Sequence, residues 1–540
     1  MDKFHSNIKY ILPLFLLLLL VFGLTYAHQG NIIIDCGREI YYPKKILEGS
    51  ILYQDLFNIY GPFSYLYNAF LFKIFGINLN VLYISGILTA TGIFSLIYLI
   101  SRLFFDKLLS SSLTALSIVI GAFSFHIFNY TFPYSFGMTY GLIAFLASLY
   151  CLLNFVRNNN FNFYYLSAFF AGLAITNKYE FLPYILIYFY LIFKNKISLK
   201  HNILAILLTL ITPILSFGFL FLQGLQLNSF IQNIKDVYTM SNTITLKYFY
   251  TVSGLIFQKQ TLGLLFRNFL LTIFPLFMIY HGTCYLNKSK AKAYFLYGLS
   301  IFFTFKLISL ETFIFLPVVL FITACILLKK QNLDIKILVI SSLLASLKVF
   351  WATALNSYGI FFIPILLISI ITLVKKDYHK YISVYFIILT IAFFSTTIPL
   401  RKDISHKVQT NYGKIYVSDF QKDTSKNIIK FISTETKSSD KILILPEGLF
   451  FNFLTNRNSN DYYNSYIPLY IETFGDKRII KNLKSDKPDY IIIHNLPTSN
   501  YYFKSICRDY AFETCDFIKK EYTPKGLLND DFSAYIFKKK

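Results

Sequence analysis

The chain alternates long apolar runs with short polar connections, and each run has the length of a bilayer crossing. Runs able to span a ~30 Å hydrocarbon core begin near Ile11, Val81, Leu109, Ser135, Phe163, Phe181, Ile203, Leu262, Tyr294, Phe313, Ile337, Gly359 and Ile382. That predicts about thirteen transmembrane helices. Two connections are long, residues 28–80 and 224–261. The second reads NSFIQNIKDVYTMSNTITLKYFY in its middle, an amphipathic pattern suited to a membrane interface. From about Arg401 the apolar runs stop. There KNIIKFIST reads as a helix, KILILPEG as a buried strand ending in a turn, and RIIKNLKSDKPDYIIIHN as helix, turn and strand. The expected fold is an α-helical polytopic membrane portion over 1–400 followed by a small α/β domain over 401–540.

Composition agrees with that division. Of 540 residues, 55% are hydrophobic and 15% charged, a balance that excludes a soluble globular protein. The net charge of +23 does not point to nucleic acid, because the basic residues gather in alternate short connections. Those connections carry Arg102 and Lys107, then Arg157, then Lys194, Lys196 and Lys200. They continue with Lys288, Lys290 and Lys292, with Lys329, Lys330 and Lys336, and with Lys375, Lys376 and Lys380. The short connections on the other face carry only Lys178, Lys306 and Lys348. This asymmetry predicts a cytoplasmic N-terminus, an extracytoplasmic C-terminal domain, and attraction to anionic membrane lipids. Both long connections then share the outer face with the C-terminal domain. Lys3, Lys9 and the run ILPLFLLLLLVFGL mimic a signal peptide, but no small-x-small site follows, so the run is read as a retained first span. Cys507 and Cys515 lie close enough for a local disulfide, with two free thiols equally open. No His/Asp/Glu cluster has metal spacing, and neither a phosphate loop nor a nucleophile elbow is visible.

The chemistry concentrates in the first long connection, IIIDCGREIYYPKKILEGSILYQDLFNIYGPFSYLYNAFLFKIFG, from Ile32 to Gly76. Asp35, Arg38, Glu39 and Asp55 fall just outside the bilayer, beside segments apolar enough to lie in its interface. Ionisable groups are costly there unless they serve a purpose. The stretches Asp35-Cys-Gly-Arg-Glu39, Ile46-Leu-Glu-Gly49, Leu52-Tyr-Gln-Asp55 and Tyr60-Gly-Pro62 resemble the first outer loop of bacterial GT-C glycosyltransferases. Within that superfamily the chain is similar to the protein O-mannosyltransferase-like branch that includes the lipid A aminoarabinose transferase. The resemblance implies transfer of a sugar from a polyprenyl-phosphate donor to a lipid, glycan or protein acceptor, by inverting displacement at the outer face of the cytoplasmic membrane. It implies no metal and no further cofactor.

In that family an acid just after the first span is the catalytic base, which falls on Asp35 here. The bland alternative is a helix cap for the segment starting near Gly37. Glu39 lies one helical turn on and either assists Asp35 or pairs with Arg38, Lys44 or Lys45. Asp55 either helps bind the acceptor or caps a helix before Leu56. Lys178, in the outer turn AITNKYEFLPY with Glu180 beside it, is the expected phosphate ligand, against an ordinary snorkelling lysine. Where the aminoarabinose enzyme has a lysine before a Pro pair, this chain has Tyr60-Gly61-Pro62, so the phosphate falls to Arg38, Lys178 or Arg267. Arg267 has a headgroup-anchoring reading as well. The turn NYTFPYS, with Tyr130 and Tyr134, resembles a cavity-facing family loop. The rival function is a transporter or flippase of a lipid-linked sugar, or else a scaffold that displays its C-terminal domain. A transporter should show repeats and polar midplane groups, whereas the polar residues here gather at the outer face.

Overall fold

In a computed structural model the chain is mostly helical, and residues 2–124, 126–195, 197–354, 358–459, 461–527 and 534–540 are described. Lys196 of the basic connections lies outside them, as does the side chain of Lys3. Helix α1 spans Asp2–Thr25. The first long connection then folds into α2 (Cys36–Leu47) and α3 (Phe63–Phe75). Four apolar helices follow: α4 (Leu79–Arg102), α5 (Lys107–Ala122), α6 (Phe136–Asn158) and α7 (Phe161–Asn177). A 3-10 turn at Tyr179–Ile185 leads into α8 (Leu186–Asn195) and α9 (Leu199–Leu222). The second long connection carries α10 (Leu227–Ser241) and α11 (Ile244–Val252). The membrane portion closes with α12 (Thr261–Tyr285), α13 (Lys290–Leu307), α14 (Leu316–Leu327), α15 (Leu333–Ala345), α16 (Ile363–Thr372) and α17 (His379–Lys402).

Every expected span begins in, or one residue before, a helical segment. Among the described residues, seven segments are long and apolar enough to cross a membrane. They are α1, α4, α6, α9 and α12, with Leu310–Lys330 around α14 and Lys376–Lys402 around α17. The rest are shorter, and the sequence explains one break. Pro183 has no amide N–H and clashes with a preceding carbonyl, so the sixth run enters as a 3-10 turn rather than a continuous helix. Helix α6 is the most enclosed of the long spans, whereas α1, α9 and α12 present Leu, Ile and Phe side chains outward as a lipid-facing surface does. The chain is a multi-pass membrane protein.

Past Lys402 come the hairpin β1 (Ile404–Thr410) with β2 (Gly413–Ser418) and helix α18 (Asp419–Glu435). Strand β3 (Ile442–Leu445) precedes α19 (Leu449–Thr455), α20 (Pro468–Phe474) and α21 (Asp476–Ser485). Strand β4 (Tyr490–His494), α22 (Phe512–Glu521), β5 (Tyr522–Leu527) and β6 (Ala534–Lys539) complete it. The sheet order is β3-β4-β6-β5, with β3 and β4 parallel and the other pairs antiparallel. The parallel strands β3 and β4 are buried on both faces, as parallel strands are. Ile442, Ile444 and Ile492 share a core with α18, α19 and the first loop, including Ile40 and Tyr41 of α2. Leu443, Leu445, Ile491 and Ile493 face the opposite core with Ile479, Leu483 and Ile518. The period of two along each strand thus joins the C-terminal sheet to the membrane loop on one side. The structure bonds Cys507 to Cys515.

Three further contacts fix this arrangement. Gly37 of α2 lies against α19 so closely that a Cβ would stand 2.7 Å from the Phe450 nitrogen. Arg478 of α21 grips Asp236 of α10 with two bonds of 2.7 Å. Glu472 of α20 accepts from the backbone nitrogens of Ile244 and Thr245 at 2.8 and 2.9 Å, so a carboxylate from the C-terminal part caps α11. Glu472→Ala should therefore cost about 1 kcal/mol at this cap. Amide exchange over residues 244–252 should quicken roughly fivefold, by that same energy, while α10 is unchanged. Unchanged exchange at 244 and 245 would show that the cap does not hold the two parts together.

Candidate active site

Helix α2 starts with a glutamate in its first turn and ends with Lys44 and Lys45, charges that suit the helix dipole at each end. Asp35 occupies the position before it, yet makes no capping hydrogen bond. Its carboxylate instead faces a narrow cavity lined also by Arg38, Tyr42, Glu447, Asn464, Ser465 and Tyr470. Arg38 lies 3.8 Å from Asp35 and 3.9 Å from Glu39, with its guanidinium 5.1 Å from the centre of the Tyr60 ring. Its Nε and Nη2 atoms are enclosed without a hydrogen-bond partner. Burial raises the Asp35 pKa, and the charges of Arg38 and Lys178 pull it back.

Glu39 is placed differently from Asp35. Fully buried, it accepts from the Tyr65 hydroxyl and from the Phe136 nitrogen, both at 2.7 Å. It ties α2 to α3 and to the start of α6, with both oxygens engaged away from any acceptor. Asp55 is exposed and accepts from the Ile51 nitrogen at 2.7 Å, closing its own turn. Arg267 is exposed on α12 and is not among the groups that line the Asp35 cavity.

Two of the three phosphate candidates, Arg38 and Lys178, do converge on the Tyr60 ring. Lys178, at the C-terminal end of α7, is 2% exposed and donates to the Tyr134 hydroxyl. Its ammonium lies 4.5 Å from the centre of the Tyr60 ring and 4.4 Å from that of Tyr134. Tyr60 reaches this place because Gly61 packs on the last turn of α7, where a Cβ would stand 1.9 Å from the Thr176 carbonyl oxygen. Only glycine allows that approach. Glu180 sits 4.0 Å from Lys178 and 2.6 Å from Lys348, and the Lys348 ammonium lies 3.7 Å from the centre of the Tyr358 ring. Arg38, Lys178 and Lys348 thus share one enclosure of tyrosine faces, each favourable to a cation. Lys348 and Tyr358 were not singled out from sequence, although Lys348 carries the same signal as Lys178: a charge in a short connection on the sparsely charged face. Among the described residues, no group of three His, Cys, Asp or Glu is arranged to hold a metal.

Residues 61–217 match the family model described as dolichyl-phosphate-mannose-protein mannosyltransferase. That segment is similar to mannosyltransferases of the GT-C type. The matched segment contains Tyr134, Lys178 and Glu180, while Asp35, Arg38 and Lys348 fall outside it. Two solved structures resemble the chain along its length, both of ArnT from Cupriavidus metallidurans. The form bound to undecaprenyl phosphate is 9% identical over 98% of both chains, with a TM-score of 0.46. The apo form is also 9% identical over 98% of both chains, with a TM-score of 0.44. No curated protein sequence matches significantly.

Burial lowers the Lys178 pKa to about 8, with Lys348 and Arg38 pushing the same way and Glu180 and Glu39 opposing. Lys178 is therefore charged below pH 8 and neutral above it. Binding of dodecyl phosphate, a monoester with an apolar tail, should weaken above pH 8 by up to about tenfold per pH unit. Lys178→Arg stays charged and should flatten that limb. A wild-type affinity that is level from pH 7 to 9 would remove Lys178 from the anion site.

Proposed function

We propose that the chain transfers a glycosyl group from a polyprenyl-phosphate-linked sugar to a hydroxyl or amine of a lipid, glycan or protein acceptor. The reaction takes place on the outer face of the cytoplasmic membrane, with the N-terminus inside and residues 401–540 outside. Residues 1–400 hold the donor, and the C-terminal part covers the site. The observation that carries this reading is the position of Asp35 beside Arg38 and Lys178, which share the Tyr60 ring, with Lys348 held by Glu180 and Tyr358 next to Lys178.

The step needs a base on one side and positive charge on the other. Asp35 takes the acceptor proton as the acceptor oxygen or nitrogen bonds to the anomeric carbon. The bond from that carbon to the phosphate oxygen breaks, and its electron pair leaves on the polyprenyl phosphate. Attack opposite the leaving group inverts the anomeric centre. Arg38, Lys178 and Lys348 stabilise the charge that develops on the phosphate, and two Arg38 nitrogens have hydrogen-bonding capacity free for it. Tyr60 and Glu180 hold the cations in place. Glu39 holds α2, Asp55 shapes the loop, and Arg267 meets lipid headgroups. The family description, which names a polyprenyl-phosphate sugar and a mannosyltransferase, supports the donor class.

The test is transfer from a panel of radiolabelled polyprenyl-phosphate sugars by purified protein in lipid, beside Asp35→Asn. Wild-type transfer and a loss of about 100-fold or more in the variant, with donor binding retained, are expected. Transfer that survives the substitution would remove Asp35 as base. Carrier movement across the bilayer without any transfer would favour a transporter.

A further inference from the structure

Glu447 and Asn464 come from the C-terminal part, far from Asp35 in sequence, yet all three line the same cavity. Strand β3 ends at Leu445, and Glu447 follows in the turn to α19. The neighbouring parallel strand ends at His494, whose Nε2 lies 2.6 Å from the Glu447 carbonyl oxygen. The carboxyl ends of parallel strands are where α/β sheets bind ligands, since side chains in the turns there converge on open space. Ser465 donates to Oε1 of Glu447 at 3.0 Å and fixes the carboxyl group.

Asn464 supplies an independent observation. Only 6% exposed, it has neither Oδ1 nor Nδ2 in a hydrogen bond of normal geometry. Its backbone is rigid, since its nitrogen donates to Asp461 at 2.6 Å and Asp461 also accepts from Tyr466 and Asn482. The polar neighbour of the Asn464 side chain is the Tyr42 hydroxyl, whose proton already goes to the Phe57 carbonyl oxygen at 2.9 Å, so the Asn464 Oδ1 has no donor from it. A buried amide left short of partners by a rigid loop is costly unless a polar ligand meets it.

We propose that Glu447 and Asn464 form the acceptor subsite and hold the hydroxyl group that is glycosylated against Asp35. This rests on the glycosyl-transfer reading above. The free space in the cavity is about 20 Å³, room for a single water-sized group. A hydroxyl reaching in from the rim fits, whereas a whole sugar ring does not. Division of labour between the two carboxyls follows from their neighbours. Burial and Asp35 push Glu447 up to about 8, with Ser465 and Arg38 opposing. Asp35 has both Arg38 and Lys178 beside it. Asp35 is then the carboxylate that takes the proton, and Glu447, still protonated, orients the hydroxyl.

The experiment uses full-length protein in lipid nanodiscs with octyl mannoside and octyl glucoside as acceptor probes. Binding is read by saturation-transfer NMR without donor, then transfer is measured with the donor panel. Glu447→Ala and Asn464→Ala should each raise the probe Kd and the acceptor KM tenfold or more. The donor KM should stay within twofold. Glu447→Gln keeps an acceptor for Ser465 and should restore most of the binding, which separates a lost contact from a misfolded turn. Binding of either probe that is unchanged in both alanine variants, or absent in the wild type, overturns the proposal. Binding that depends on both residues, with no wild-type transfer, keeps the subsite and removes the glycosyl-transfer reading.

Discussion

Three cations enclosed at a membrane boundary are the constraint on which the rest of the structure depends. Arg38, Lys178 and Lys348 would repel one another and lose hydration if nothing offset the burial. Two kinds of group do so. The rings of Tyr60, Tyr134 and Tyr358 turn their faces to the cations, and Asp35 and Glu180 supply negative charge. The ordering of the first loop, the close packing of Gly61 on α7 and the 3-10 turn after Lys178 all bring those groups together. An anion entering the enclosure would replace hydration that the cations have already lost. That is why the arrangement suits an anion better than a purely structural ion-pair network would.

The second constraint is the docking of the C-terminal part. Its sheet does not stand apart, because one face of β3 and β4 shares a core with α2. Helix α19 rests on Gly37, two residues from Asp35, so the sheet and the candidate base are positioned by one contact. The Asp236–Arg478 pair and the Glu472 cap fix the other side on the second long connection. Movement of the C-terminal part would therefore open or close the cavity at Asp35. The space there, adequate for one small group, is set by this docking.

Much of this was legible in the sequence. Period and length placed the helices, and the apolar runs stop near Arg401, where α17 ends at Lys402. Asp35 and Lys178 stood out because charge near lipid is costly, and the fold brings both to one region. Sequence reasoning ran out where function depends on contacts across distant segments. Glu39 and Asp35 look equivalent on a helical wheel, yet only the approach of Tyr65 and the α6 N-terminus makes Glu39 an anchor. Glu447 followed an apolar strand like any turn acid, and nothing local said that β3 would end beside α2. Arg267 and Lys178 had similar prior claims, and only packing separated an exposed side chain from an enclosed one.

The most direct test of the central claim is an experimental structure of the protein with undecaprenyl phosphate in a lipid nanodisc. The phosphate is expected within hydrogen-bonding distance of Lys178 and Lys348, with Arg38 on its Asp35 side and the prenyl chain running down between membrane helices. A phosphate bound elsewhere, at Arg267 for example, with the tyrosine enclosure unchanged, would contradict it.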